Sequence, residues 1–137
     1  MNSQYKNKSD LYLDAANDLI CSQNHFMIVP HTAYYSCLLL IEHKCYIKDQ
    51  KTEGDIRPVV NGIRPALHDG LINYMKNYLS ISSNRSAHAD CRKFVSKITD
   101  LKKLRVKADY KNEFVTLEDG QKSFELAKEI IEILNKN

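Results

Sequence analysis

Ala33-Tyr34-Tyr35-Ser36-Cys37-Leu38-Leu39-Leu40-Ile41 is the most apolar stretch of this 137-residue chain, and how it is buried decides the fold. It is far short of the ~18 to 20 apolar residues that cross a bilayer. Wound as a helix it is apolar nearly all round, which marks a segment covered on every side. Pro30 suits the first turn of such a helix because the amide proton it lacks has no intrahelical partner there. The stretch therefore reads as the central helix of an all-helical core.

The flanking sequence supplies the elements that would cover it. On the N-terminal side Ser9 can cap a helix over about 10–22, with Leu11, Tyr12, Ala15, Ala16, Leu19 and Ile20 recurring at three and four residues. On the C-terminal side, residues 48–62 are polar and hold two of the four glycines and Pro58, which predicts a long loop. Pro65 opens a third helix through Leu67, Leu71, Ile72, Tyr74, Met75, Tyr78 and Leu79, and Ser80 to Asn84 breaks it. A fourth helix carries Phe94, Val95, Ile98, Leu101 and Leu104, with Arg92, Lys93, Lys97, Lys102, Lys103 and Lys107 over the rest of its surface. Thr116 caps the last helix, where Glu118 and Asp119 suit the positive end of the dipole and Phe124, Ala127, Ile130, Ile131 and Leu134 form the buried stripe. No strand alternation, repeat or low-complexity tract interrupts this pattern, so the expected fold is all-α, a bundle of four to five helices in one domain over residues 1–137.

Composition agrees: 43% hydrophobic and 27% charged residues with 4 Gly and 3 Pro describe a chain able to fold around one core. The N-terminus lacks an apolar h-region and a small-residue cleavage site, so no secretory signal, no membrane span and a cytoplasmic location are expected. Cys21, Cys37, Cys45 and Cys91 sit inside helical patterns and are read as reduced thiols. His43 and Cys45 point to different helix faces, and His88 and Cys91 lack a second pair of ligands, so no metal site and no cofactor is expected. A net charge of +3 is too mild to demand a nucleic-acid partner, and its distribution carries more meaning.

The segment Leu101-Lys102-Lys103-Leu104-Arg105-Val106-Lys107-Ala108-Asp109-Tyr110 gathers cations beside an acid and an aromatic ring at a helix end anchored to the core. Arg105 and Asp109 share a helical face, an arrangement that also makes an ordinary intrahelical ion pair of roughly 0.2–0.5 kcal/mol. Lys102, Lys103, Arg105 and Lys107 are the candidate RNA- or nucleotide-contacting cations, and Arg105, Asp109 and Tyr110 the candidate catalytic group. Tyr34 and Tyr35 read as core or dimer-contact residues, or as the lining of a cleft at Arg105. Glu42 is the one acid in the central helix, and if buried it needs a cation such as Arg105.

With Ala15-Ala16, Ala33-Tyr34-Tyr35-Ser36, Arg105-x-x-Ala108-Asp109-Tyr110, Leu117-Glu118-Asp119 and Glu125-Leu126-Ala127-Lys128-Glu129 in this order, the chain resembles the HEPN superfamily, in particular its small stand-alone prokaryotic members. The resemblance implies an antiparallel helical bundle, commonly a homodimer, that works on RNA or nucleotides, often in toxin–antitoxin or phage-defence systems beside a small nucleotidyltransferase. Ribonuclease members resemble one another in an Arg followed after four to six residues by a His; the Arg stabilises the phosphorane and the His exchanges the 2′-hydroxyl proton. Here Tyr110 stands at that spacing from Arg105, and no His follows His88. Arg64 with His68 and Arg85 with His88 come nearest but have three and two residues between them and fall on the wrong helices; His68 reads as a partly buried or surface histidine, or, if helices three and four are neighbours, as one that could approach Arg105 across the bundle. Three readings follow from the resemblance: an RNA- or nucleotide-binding protein, a metal-independent endoribonuclease toxin, or a non-catalytic dimeric module whose Tyr110 a partner nucleotidyltransferase modifies.

Overall fold

The computed structural model describes residues 3–22, 25–82 and 86–137. Its helices are α1 (Gln4–Cys21), α2 (Val29–Glu42), the single turn α3 (Glu53–Ile56), α4 (Leu67–Ser80), α5 (Ala87–Tyr110) and α6 (Leu117–Lys136). The five long helices form the all-α bundle expected from the sequence.

At the centre is α2, with Ala33, Tyr34, Ser36, Cys37, Leu38, Leu40 and Ile41 all buried. Cross-helix bonds give the directions of its neighbours. Ser9 Oγ donates to the Ser36 carbonyl at 2.7 Å and Ser3 Oγ meets His43 Nδ1 at 2.6 Å, so α1 runs antiparallel to α2. Lys107 pairs with Asp119 and Lys97 with Glu129, which sets α5 antiparallel to α6. Lys102 with Asp69, and Cys91 Sγ with the Lys76 carbonyl, do the same for α4 and α5. At the far end of that pair of helices, Asp90 holds Lys136 Nζ at 3.1 Å and Asn137 Nδ2 at 3.0 Å, tying the end of α6 to the start of α5.

Several boundaries differ from the sequence reading. The first helix begins at Gln4, because Ser3 and not Ser9 caps it by accepting from Lys6 N–H at 3.2 Å. Ser9 is instead buried against α2, and the inward face runs through Ser9, Leu13, Ala16 and Ile20. Leu11 and Tyr12, expected on the stripe, are 64% and 40% exposed, because they lie off the face that Ser9, Leu13, Ala16 and Ile20 turn inward.

The predicted loop 48–62 contains α3, closed by a capping box between Thr52 and Asp55, and Val60 and Ile63 then bridge across a two-residue turn. Asn61 (φ 51°) and Gly62 (φ 77°) supply the two positive φ values that such a turn needs. Pro65 precedes α4 without entering it, and α4 continues through Ser80. Ser83, Asn84 and Arg85, including the Arg of the Arg85–His88 spacing and the end of the predicted break, lie outside the described residues. Thr116 caps α6 as expected, in a capping box with Asp119.

The Ser3–His43 bond makes stability depend on pH. Burial first, and then Lys48, Lys6 and Lys44, hold the His43 pKa below its ordinary value. Protonating this imidazole would put a charge into a buried position that already faces those lysines. A histidine whose folded pKa is depressed contributes stability that is full above its unfolded pKa, about 6.5, and is lost as pH falls toward the folded value. His68, also depressed, acts with the same sign. The urea midpoint should therefore fall between pH 7 and pH 5.5, and His43→Gln should flatten that dependence. An unchanged slope in the variant would remove His43 as its source.

Candidate functional site

Arg105 occupies a position on α5 that the helix otherwise gives to apolar residues: Phe94, Ile98, Leu101 and Arg105 fall on one inward face. Its stem is thus buried, and the residue is only 8% exposed. What receives the guanidinium is an aromatic enclosure. Its Cζ lies 5.4 Å from the ring centroid of Tyr34, 5.6 Å from that of Tyr35 and 4.9 Å from that of Tyr110. Such cation–π contacts partly replace the hydration that burial removes. Nη2 donates to the hydroxyls of Tyr110 at 3.0 Å and Tyr35 at 3.3 Å.

Nε stands 3.0 Å from Asp109 Oδ2, an ionic contact along which the N–H is not directed as a hydrogen bond. Burial works against the Arg105 charge, but Tyr35, Tyr110, Asp109 and Tyr34 outweigh it and raise its pKa. Arg105 stays a cation at any physiological pH.

The same Asp109 oxygen accepts from His31 Nδ1 at 2.7 Å. This bond ties the His31 ring to the same carboxylate that Arg105 contacts, with the side chain 47% exposed. His31 lies one turn before Tyr35 on α2, and their rings are 4.7 Å apart. His68, in the first turn of α4, packs its ring 5.4 Å from Tyr35 and 5.8 Å from Tyr34. Burial, then Arg105 and Lys102, hold its pKa below the ordinary value against the opposing pull of Asp69, so it is neutral near pH 7. Tyr34 is fully buried, its hydroxyl has no hydrogen-bond partner, and desolvation raises its pKa to about 12 despite Arg105. Tyr34 therefore remains a neutral phenol.

The starts of α2 and α4 and the end of α5 thus bring together six residues singled out from sequence: Tyr34, Tyr35, His68, Arg105, Asp109 and Tyr110. Of the three lysines, Lys102 stands near His68, and the other two are placed elsewhere. Lys103 and Lys107 are two residues from Arg105 and so about 200° round the helix from it. With Thr99, Lys102, Val106, Lys111 and Glu113 they line an open groove of about 600 Å³ on the other side of α5. Lys102 is paired with Asp69 at 2.6 Å and Lys107 with Asp119 at 2.9 Å. Both cations are already partly neutralised by acids from other helices.

Glu42 does not pair with Arg105. It sits at the opposite end of α2 from His31, where burial raises its pKa and Lys8 is the opposing charge. Sequence reading missed His31, whose only signal is its four-residue spacing from Tyr35. Among the described residues no group of three His, Cys, Asp or Glu side chains is placed to hold a metal ion, and no helix is long and apolar enough to cross a membrane.

A family model described as HEPN domain matches residues 59–137, a span that includes His68, Arg105, Asp109 and Tyr110. No curated protein and no solved structure matches the chain.

Proposed function

The chain belongs to the HEPN domain family, and from that premise we propose that it is an RNA- or nucleotide-binding protein whose phosphate contact is Arg105. The observation that carries the reading is the environment of this cation. Tyr35 and Tyr110 accept hydrogen bonds from Nη2, so each keeps its own O–H proton to donate to a phosphate oxygen beside the guanidinium. Tyr110 is 68% exposed and stands where a ligand would enter. The lysine groove on the other side of α5 suits a longer strand, whose backbone would be held by charge alone.

The test is the anisotropy of a labelled single-stranded RNA. Binding should weaken steeply as salt rises, and the double variant Tyr35→Phe, Tyr110→Phe should weaken it about tenfold, as expected for two lost hydrogen bonds. Binding that is indifferent to salt and to the two phenols would sink the proposal.

A second reading, metal-independent endoribonuclease activity, is favoured by His31. In this reading His31 of α2, on the carboxylate that Arg105 also contacts, would stand in for the imidazole missing downstream of Arg105. The biological setting we propose is a toxin–antitoxin or phage-defence pair with a nucleotidyltransferase, supported by the exposure of the Tyr110 ring over Arg105. A nucleotide added to that phenol would cover the cation. Incubation with a genomically adjacent nucleotidyltransferase should add one or more nucleotide masses on Tyr110, and an unmodified Tyr110 would remove this setting.

A further inference from the structure

We propose that the cavity between the turn following α2 and the end of α6 binds a compact anion bearing phosphate groups, of the size of pyrophosphate, held by Lys44, Lys48 and Lys136. A single π-helical turn, His43–Lys48, continues α2 there. At 1.5 Å per residue, Lys44 is about 14 Å along that axis from Tyr35, so this site is separate from the one at Arg105. Turns of this width are rare and recur at functional sites. Here the turn sets Lys44 and Lys48 beside the last residues of α6, around a cavity of about 330 Å³ with Asp49, Tyr78, Asn135 and Lys136 on its wall. That volume is at the lower end of the range for small-molecule sites.

The charge of the cavity is unbalanced. Among the described residues neither Lys44 nor Lys48 has an ion-pair partner, whereas Lys136 reaches Asp90 at 3.1 Å. Asp49 is the one acidic side chain on the wall, and it accepts the Tyr74 hydroxyl at 2.8 Å. Lys44 is half-buried, and what faces it is more positive charge: burial first, then Lys48 and Lys6, lower its pKa. The same three lysines act on His43. Lys6 itself meets only Asp10, on the surface at 3.6 Å.

A partly desolvated cation held against like charges costs stability, and in a cleft such a group marks a candidate binding site. An anion among the lysines would turn that repulsion into attraction. Each ammonium is a compact charge with three donors, which suits the several oxygens of a phosphate group. Two unpaired lysines call for a ligand with at least two negative charges, and Tyr78 and Asn135 add neutral hydrogen-bonding groups.

The experiment follows the backbone amide resonances of the full chain by nitrogen–proton correlation NMR while inorganic pyrophosphate is added at constant ionic strength. Urea titrations run in parallel. Shifts at residues 43–49 and 135–137 should saturate, and Lys44→Met and Lys48→Met should each weaken that response about tenfold or more, as expected for one lost charged hydrogen bond. Pyrophosphate should raise the urea midpoint of the parent and leave that of Lys44→Met where it was. Without pyrophosphate, Lys44→Met should be at least as stable as the parent, because the change removes an unpaired cation that faces other cations.

Shifts that never saturate, or that spread evenly over the surface lysines, would reduce the effect to charge screening and overturn the proposal. So would a parental response in both variants, or a single-stranded RNA that moves these resonances where pyrophosphate does not. A Lys44→Met protein that fails to fold would show that this lysine serves the fold, and Lys48→Met, changed at an exposed position, then decides whether the cavity binds.

Discussion

Arg105→Ala should abolish detectable RNA binding, a loss of at least about 100-fold, whereas Arg105→Lys should recover folding but not affinity. The first figure follows from removing a charge-assisted contact of roughly 1.5–3 kcal/mol together with the group that positions two phenols. The second follows from shape. Arg105 presents a planar fork that meets Asp109 through Nε and two tyrosine hydroxyls through Nη2, between rings at 4.9 to 5.6 Å. A lysine places one ammonium on a flexible stem and cannot hold the carboxylate and the phenols in that geometry.

The alanine variant carries a structural cost as well, because it leaves the partly buried Asp109 with His31 alone. Urea titrations of all three proteins separate the two effects: a lysine variant as stable as the parent but unable to bind RNA assigns Arg105 to the ligand. A lysine variant that binds normally would show that only charge matters there, and the argument from the tyrosine enclosure would fall.

What the sequence revealed and what it hid follow from the range of the interactions involved. The central helix was legible because apolar residues on every side of a helical wheel admit one environment, and the structure buries Tyr34, Cys37, Leu38, Leu40 and Ile41 accordingly. The cap at Thr116 was legible because its partner, Asp119, is three residues away. Ser9 misled because its hydroxyl serves a carbonyl 27 residues distant, and that bond displaced the cap to Ser3. The Asn61-Gly62 pair suits a two-residue turn by its residue types, but the polar stretch around it carries no alternating strands to mark the turn out from a loop.

Within the site, Arg105, Asp109 and Tyr110 were visible as neighbours on one helix. His31 was not, since nothing local ties it to Asp109, 78 residues away. The lysines looked like one basic face with Arg105 because a sequence shows charge without direction. Arg105 points inward, and Asp69 and Asp119 from other helices answer two of the lysines.

Phe94→Ala should destabilise the protein by about 3–5 kcal/mol, the range for removing a fully buried phenylalanine. Phe94 is 0% exposed and lies on the α5 face that continues through Ile98 and Leu101 to Arg105. Domains of this size are stable by only about 5–15 kcal/mol, so the loss should lower the urea midpoint by a large fraction and leave part of the population unfolded at 37 °C. Phe114 is the control. Its ring meets Phe26 at 6.5 Å but is 67% exposed, so Phe114→Ala should change stability by no more than about 0.5 kcal/mol. Equal effects at the two positions would contradict the burial pattern on which the orientation of α5 depends. Because that orientation is what turns Arg105 toward α2 and α4, the Phe94 variant should also lose RNA affinity under conditions where most molecules remain folded. A variant that is destabilised by several kcal/mol yet binds RNA normally in its folded fraction would show that the last turns of α5 hold Arg105 in place without the packing below them.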